Sequence, residues 1–493
     1  MRIEFSPDQI RTRIRLENPW WQAGKVDDFF LRMRRREYFN LFQPLVLEEK
    51  VRRAIVLMGP RRVGKTVLIF HSIQNLLESG VNGKNVCYLS IETPLFNGIS
   101  LEELLNIYLT EAGSSGQARQ YVFFDEIQYL KDWEVHLKSL VDTYRNVKFI
   151  VSGSAAAALK LKSNESGAGR FTDFKLPPLT FHEYLTLTNQ GDLISSEPRE
   201  VNKDGVSEFF KTTDIGKLNE HFVRYINYGG YPEVSLSPEI QKDPGRYIKN
   251  DIVDKVLLRD LPSLYGIQDN QELNTLFTYL AYHSGNEMSL EGISRSSDVS
   301  KNTIKKYLSY LEAAFLIKIV NRIDHSAKKF KRANFFKVFL TNPSLRGALF
   351  APIADGDDFM GNMVETAIFS QWWHDEAAPL LYARWERGEV DIVSLEGSTQ
   401  RVFWCVEVKW SDRFPDYPGE LKSVKQFCLK NKLTSAVVTT RTITRRLQWE
   451  GIDLDFLPSA LYCYSVGRNL VEGRRDLQRR QLSQEGINQP DKG

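Results

Sequence analysis

The octapeptide Gly59-Pro60-Arg61-Arg62-Val63-Gly64-Lys65-Thr66 constrains this chain more than any other stretch. An apolar run at 54–58 precedes it and reads as a buried parallel strand, and residues 67–73 follow with helical apolar density. Strand, glycine-bearing loop and helix, in that order, are the context of a phosphate-binding loop. Gly59 and Gly64 let backbone N–H groups turn inward around phosphate oxygens, and the helix start adds its positive dipole end. Lys65 is expected to neutralise the β- and γ-phosphates, and Thr66 to give its hydroxyl to Mg²⁺. The expected cofactors are therefore ATP and Mg²⁺, with all eight residues from Gly59 to Thr66 at the nucleotide. A ligand-free strand-to-helix turn is the alternative.

Downstream, residues 85–91 read as a second strand, 101–109 as a helix, and Gln120–Glu126 as a third strand ending in two carboxylates. Asp125 at that end would hold hydrated Mg²⁺, and Glu126 would polarise the attacking water. After a helix at 133–144, the strand 147–154 ends in Ser152-Gly153-Ser154, whose hydroxyls could sense the γ-phosphate or simply make a turn. A polar, glycine-rich loop at 163–171 then presents Arg170. A mobile loop carrying one arginine suits a trans-acting arginine finger; a surface salt bridge is the alternative.

These motifs, with Leu-Pro-Pro-Leu-Thr-Phe-His-Glu-Tyr at 176–184 and Gly-Gly-Tyr-Pro-Glu-Val at 229–234, resemble bacterial and archaeal AAA-type P-loop ATPases that carry a C-terminal domain of unknown function. The resemblance covers roughly residues 36–466. It implies an α/β multidomain fold: an AAA+ P-loop NTPase core, a helical lid, a winged helix-turn-helix and a C-terminal PD-(D/E)xK-like, restriction-endonuclease-like α/β domain. One departure is the lack of an asparagine at the Ser152-Gly153-Ser154 strand end, which leaves the sensor role open. The expected domains are an N-terminal basic and aromatic arm (1–48), the ATPase core (49–185), a helical lid with a polar insertion (186–268), the winged helix (269–335), the nuclease-like domain (336–466) and a polar tail (467–493).

Several stretches sharpen this division. The arm mixes Arg11, Arg13, Arg15, Arg32, Arg34, Arg35 and Arg36 with Trp20, Trp21, Phe29, Phe30, Tyr38 and Phe39. Such a mixture can hold single-stranded nucleic acid, but packing of stems and rings against the core is the preferred reading. Residues 190–217 read as an insertion or loop, and a helix at 247–261 is expected to end at Pro262. Residues 271–320 give a helical stripe, a short helix at 289–296, a helix at 301–314 capped by Ser300, and a wing strand at 315–320. Lys301, Asn302, Thr303, Lys305 and Lys306 open the would-be recognition helix, and His325, Lys328, Lys329, Lys331 and Arg332 add a basic cluster around Phe330. A solvated helix face is the alternative. The tail from 468 reads as partly disordered or a short exposed helix.

From 359 onward the element order is helix, three strands, helix, strand, as in restriction-endonuclease-like nucleases. Strand period two puts Glu407 and Lys409 on one face and Val406, Val408 and Trp410 on the other. A charged pair on an apolar strand is costly to bury, so that face should be a cleft or metal site. Asp391 would join Glu407 as an oxygen ligand of Mg²⁺, Lys409 would stabilise hydroxide or developing charge, and Glu365 could reach in from the preceding helix. A structural ion-pair network is the alternative.

The net charge of +3 argues for no nucleic-acid partner by itself. Cys87, Cys405, Cys428 and Cys463 are scattered without metal-ligand spacing, which fits reduced thiols, and no run resembles a signal or membrane span. The expectation is a cytoplasmic homo-oligomer with no membrane partner. It would be an ATP-hydrolysing protein acting on DNA, with RNA as an alternative, and carrying a Mg²⁺-dependent endonuclease-like domain for genome defence, mobile-element control or repair. The rival expectation is an ATP-dependent switch or scaffold that cuts nothing.

Overall fold

Every residue of Ala54–Met58 is buried, as a run without polar alternation requires. In the computed structural model this run is β1, and it belongs to a five-stranded sheet with β2 (Val86–Ser90), β3 (Gln120–Asp125), β4 (Val147–Gly153) and β5 (Phe171–Lys175). The order is β2-β3-β4-β1-β5, and all pairs are parallel. The register sets Met58 beside Gly153 and Phe124 beside Val151. Three carboxyl ends therefore meet at one edge of the sheet, where open α/β sheets bind ligands. The structure describes residues 6–113, 118–153, 169–198, 208–328, 335–373 and 380–487. The chain divides into two compact units, 1–177 with 474–493, and 178–473.

In the first unit the arm finishes the sheet. Ser6 and Gln9 form a capping box that starts the helix Pro7–Glu17. Beyond it, Glu17 accepts from the Ser90 N–H (3.0 Å), and the Asn18 side chain accepts from the Tyr88 N–H (2.6 Å) and donates to the Tyr88 carbonyl (2.9 Å). The indoles of Trp20 and Trp21 both donate to the Val86 carbonyl (3.0 and 2.8 Å). These are backbone groups of β2, the edge strand, so side chains satisfy an edge that would otherwise be left unpaired.

The second unit holds a nine-stranded sheet. Its strands are β8 (Glu287–Ser289), β9 (Ile317–Ile323), β10 (Phe335–Leu340), β11 (Leu380–Trp385), β12 (Gly388–Leu395), β13 (Val402–Glu407), β14 (Ser435–Thr440), β15 (Arg445–Trp449) and β16 (Ile452–Pro458). The order is β15-β16-β14-β13-β12-β11-β9-β10-β8. The helix Met360–Trp372 packs on one face through Met363 and Ile368, and Lys422–Asn431 on the other through Val424 and Phe427. β9 pairs with β10 antiparallel and with β11 parallel, so the sheet runs without a break across the boundary expected at 335/336. The helices Asn270–Tyr282, Leu290–Ser297 and Lys301–Ala313 sit as the periodicity predicts, the last capped by Ser300 accepting from the Thr303 N–H.

Four local expectations are corrected. The wing strand begins at Ile317, because Phe315 takes a left-handed φ of 58° where the preceding helix closes. Pro262 does not end the helix: π-helical turns at Gly245–Asp254 and Val256–Asp260 run directly into Leu261–Tyr265, which closes at Gly266 with a left-handed φ of 65°. Within 190–217 the strands β6 (Ile194–Pro198) and β7 (Glu208–Thr212) pair as an antiparallel ribbon, because backbone pairing outweighs the weak side-chain period. The tail is helical through Ser459–Ile487, longer than the expected short helix. No described helix is long and apolar enough to cross a membrane.

Candidate functional site

The phosphate loop is shaped by close approach and by backbone sign. A Cβ at Gly59 would lie 2.3 Å from the Leu176 carbonyl oxygen, so only glycine fits there. Gly64 has φ 98° and precedes the helix Lys65–Glu78 without capping it, leaving the first-turn N–H groups directed at the loop. The buried Lys65 ammonium donates to the carbonyls of Gly59 (3.0 Å) and Pro60 (2.9 Å). Arg36, also buried, donates through Nη1 to the carbonyls of Val63 (3.1 Å) and Pro177 (2.8 Å), tying the loop to the chain after β5. Arg61 Nη2 donates to the Tyr129 hydroxyl at 3.2 Å; Arg62 has φ 61°.

Asp125 lies at the centre of a dense network and is 2 % exposed. Its Oδ2 accepts from the hydroxyls of Thr66 and Tyr88, both at 2.8 Å. Its Oδ1 accepts from the Ser152 hydroxyl and from the Glu126 N–H (3.1 Å). Burial and the neighbouring Asp125 charge push the Tyr88 phenol far up, so it stays a donor. Ser152 is thus engaged with Asp125, whereas Ser154 lies outside the described residues. Glu126 has a left-handed φ of 55°, its side chain accepts from Gln128, and burial raises its pKa against the opposing charge of Lys65. The residues fit a hydrated Mg²⁺ and a triphosphate. Thr66 and Asp125 face each other as a hydroxyl and carboxylate pair, and Lys65 is folded over the loop. Arg170 Nε pairs with Asp142 at 3.1 Å, and its carbonyl accepts from Ala54 N–H at the start of β1, the sheet end opposite the phosphate loop.

In the second unit, the residues expected to converge do so. Asp391 Oδ2 accepts from the Val408 N–H (2.8 Å), which fixes its orientation beside β13. Lys409 Nζ lies 2.7 Å from Glu407 Oε1 and 3.8 Å from Asp391 Oδ2. Its backbone is pinned by Thr439 on both sides, Lys409 N–H donating to Oγ1 (2.8 Å) and the Lys409 carbonyl accepting from it (3.0 Å). Glu365 reaches in from its helix, but its Oε1 meets another cation, Lys337 Nζ, at 2.9 Å. Lys337 also lies 2.8 Å from Glu389 Oε1 and 3.8 Å from Asp391 Oδ1. Burial, reinforced by Asp391, pushes the Glu407 carboxyl up to about 8, and burial pushes Glu365 up to about 7. Burial opposes the Lys337 charge, but Glu365, Asp391 and Glu389 more than offset it and raise its pKa.

Glu407 Oε2 is buried and has no hydrogen-bond partner, an arrangement that calls for a proton or a cation. Among the described residues no three carboxylate, histidine or cysteine side chains gather as a metal cage. Asp391 and Glu407 nonetheless fit Mg²⁺, which is commonly held by one or two carboxylates with water and phosphate oxygens completing the shell. Lys337, Glu389, Tyr88 and Arg36 are not singled out by motif. Lys337 had a signal, a single lysine inside the apolar strand Phe335–Leu340; Glu389 had one in the alternation of Glu389-Val390-Asp391. The basic group at 329–332 lies outside the described residues, and Lys301 is paired with Glu291 on an exposed face.

Residues 51–185 match a family described as an AAA domain, and residues 219–355 match a domain of unknown function, DUF8612. The second match contains Lys337 but ends before Glu365, Asp391, Glu407 and Lys409. An uncharacterized protein of Haemophilus influenzae is 27% identical over 312 residues, 62% of this chain and 72% of its own. One of Methanocaldococcus jannaschii is 23% identical over 386 residues, 76% of this chain and 80% of its own. Among solved structures, Cdc6p from Pyrobaculum aerophilum aligns over 69% of this chain and 98% of its own at 13% identity, with a TM-score of 0.28. At that score the likeness carries no weight beside the loop geometry. The motif, the five-stranded order and the family match point the same way: residues 51–185 are similar to an AAA domain with a P-loop.

Proposed function

We propose that the chain is an ATP-hydrolysing AAA+ protein that acts on DNA, and that Asp391, Glu407 and Lys409 form a phosphodiester-cleaving site. The observation that carries the second half is the unpartnered Glu407 Oε2 beside Asp391 and Lys409. At the phosphate loop, Lys65, which donates to the Gly59 and Pro60 carbonyls, would turn to the β- and γ-phosphates, with the loop N–H groups as further donors to them. Thr66 and Asp125 would hold Mg²⁺, which would supply charge neutralisation on the transferred phosphoryl group. Ser152 and Tyr88 donate to Asp125 and hold it aimed, and Glu126 orients the attacking water. Arg170 lies at the opposite sheet end from its own phosphate loop, which supports a role toward a neighbouring copy and a homo-oligomer as the working form.

At the second site, Asp391 and Glu407 would hold Mg²⁺, which would supply polarisation of the scissile phosphate and a more acidic water. Lys409, 29% exposed on its side chain, can reach both a carboxylate and an incoming phosphate. The basic start of Lys301–Ala313 supports a duplex-binding face nearby in the sequence. The test is cleavage of single-stranded, duplex and branched nucleic acid with Mg²⁺, with and without ATP. Cleavage lost in Asp391→Ala and Lys409→Ala supports the reading; cleavage unchanged in both refutes it. The second reading, a switch that binds without cutting, is favoured by one observation, the two lysines already pairing the four carboxylates. Tight Mg²⁺-insensitive binding without cleavage would support it.

A further inference from the structure

Lys337 and Lys409 are two ammonium groups in one carboxylate cluster, yet they are held differently. Lys409 follows β13 and keeps 29% of its side chain exposed, whereas the Lys337 side chain is 4% exposed. Lys337 sits mid-strand in β10, with Phe336 and Val338 in the core on either side and its own backbone in register with Val320 and Glu287. Its ammonium lies 5.2 Å from the centre of the Tyr382 ring, whose hydroxyl is itself held by Glu287 Oε2 at 2.7 Å. Its contacts to Glu365 and Glu389, at 2.9 and 2.8 Å, are the lengths of charge-assisted hydrogen bonds. The pull of the carboxylates is therefore spent on a cation that cannot swing into water without opening the strand. Lys409, by contrast, contacts Asp391 through Oδ2 and Glu407 through Oε1, while Glu407 Oε2 is buried without a partner and Glu407 is 9% exposed.

We infer that Lys337 is a resident counter-cation that closes the Glu365–Glu389 half of the cluster to divalent ions, so that the cluster takes one divalent cation, between Asp391 and Glu407, and never a pair. The inference rests on the reading of Asp391 and Glu407 as metal ligands. It assigns Glu365 to holding Lys337 and not to the metal. A one-ion site must stabilise the attacking and leaving oxygens unequally, and Lys409, the accessible ammonium, stands where the second charge is needed.

Mn²⁺ binding to the full chain tests this, read as loss of the free-ion signal in electron paramagnetic resonance, without nucleotide and in an Asp125→Asn background that silences the phosphate-loop metal. The expected stoichiometry is one ion in that parent, one in Glu365→Gln, none in Glu407→Gln and two in Lys337→Met. Two ions in the parent, loss of the ion in Glu365→Gln, or a folded Lys337→Met that still binds one would each overturn the inference while leaving the metal reading intact. Glu365→Gln keeps the test decisive should Lys337→Met fail to fold, because it relieves charge instead of stranding it. No ion in the folded parent would instead overturn the metal reading itself, and with it the inference.

Discussion

Replacing Arg36 by methionine separates an arm that is part of the ATPase core from one that waits for nucleic acid. Arg36 is 7% exposed and its Nη1 donates to two main-chain carbonyls, Val63 at 3.1 Å and Pro177 at 2.8 Å. Methionine keeps the stem and removes the donors, leaving both carbonyls short of a charged partner. A hydrogen bond to a charged group contributes roughly 1.5–3 kcal/mol, so the two bonds, with the Tyr38 ring 5.3 Å from the guanidinium also losing its cation, set an expected loss of about 3 kcal/mol after relaxation. Val63 adjoins Gly64, where the loop turns into its helix, so one of the two bonds orders the nucleotide site directly. If that bond's roughly 1.5–3 kcal/mol must be supplied by the ligand, nucleotide affinity falls roughly tenfold to hundredfold. Urea unfolding followed by tryptophan fluorescence reads the first quantity, and titration with a fluorescent ATP analogue the second. Arg36→Lys should recover only part of either, since a lysine point charge does not reproduce the fork. A folded Arg36→Met with the parent's unfolding midpoint and nucleotide affinity would refute the assignment.

Glu126→Gln should retain ATP binding and lower hydrolysis by roughly 10²–10⁴-fold, the range of a lost general base; hydrolysis unchanged at saturating ATP would remove Glu126 from the water. Mixing Arg170→Ala with Lys65→Ala chains should restore turnover that neither has alone, and hydrolysis that is normal in Arg170→Ala and independent of protein concentration would make the Asp142 pair merely structural. His182 stands edge-on to Tyr464 (5.1 Å) with Nδ1 unpartnered, and burial, helped by Arg468, holds it down to about 4. Its folded value lies below the unfolded 6.5, so its contribution is complete above pH 6.5 and is lost as pH falls towards 4. His182→Phe should flatten that acid loss by at most roughly 3 kcal/mol, measured as urea midpoints at several pH values, and an unchanged acid slope would contradict it.

What could be read in advance follows the distance over which each feature is encoded. The phosphate loop is contiguous, and its neighbours Asp125 and Glu126 announce themselves as charges at the end of an apolar strand. Glu407 and Lys409 are likewise exposed by strand parity alone. Lys337 is not, because its meaning depends on partners 28 and more residues away that only the β10-β9-β11-β12 order brings together. The same holds for Ser152, whose hydroxyl could be given to phosphate or to Asp125 on sequence grounds, and for Trp20 and Trp21. The rings of the last two suggest stacking, whereas it is their indole N–H groups that the fold uses. Domain limits were least legible at 335/336, since strand pairing, which carries no local signature, decides where one sheet stops.

The seal over β2 has a consequence for how the chain is made. Trp21 precedes its acceptor Val86 by 65 residues, so the cover leaves the ribosome before the edge it closes. As soon as Val86–Ser90 emerges, its outer row of donors and acceptors has a partner from the same molecule, and a second nascent chain finds nothing to pair with. A chain begun at Lys25 should synthesise as well but accumulate in the insoluble fraction, and full solubility of that truncated chain would show that the edge needs no such chaperoning by its own N-terminus.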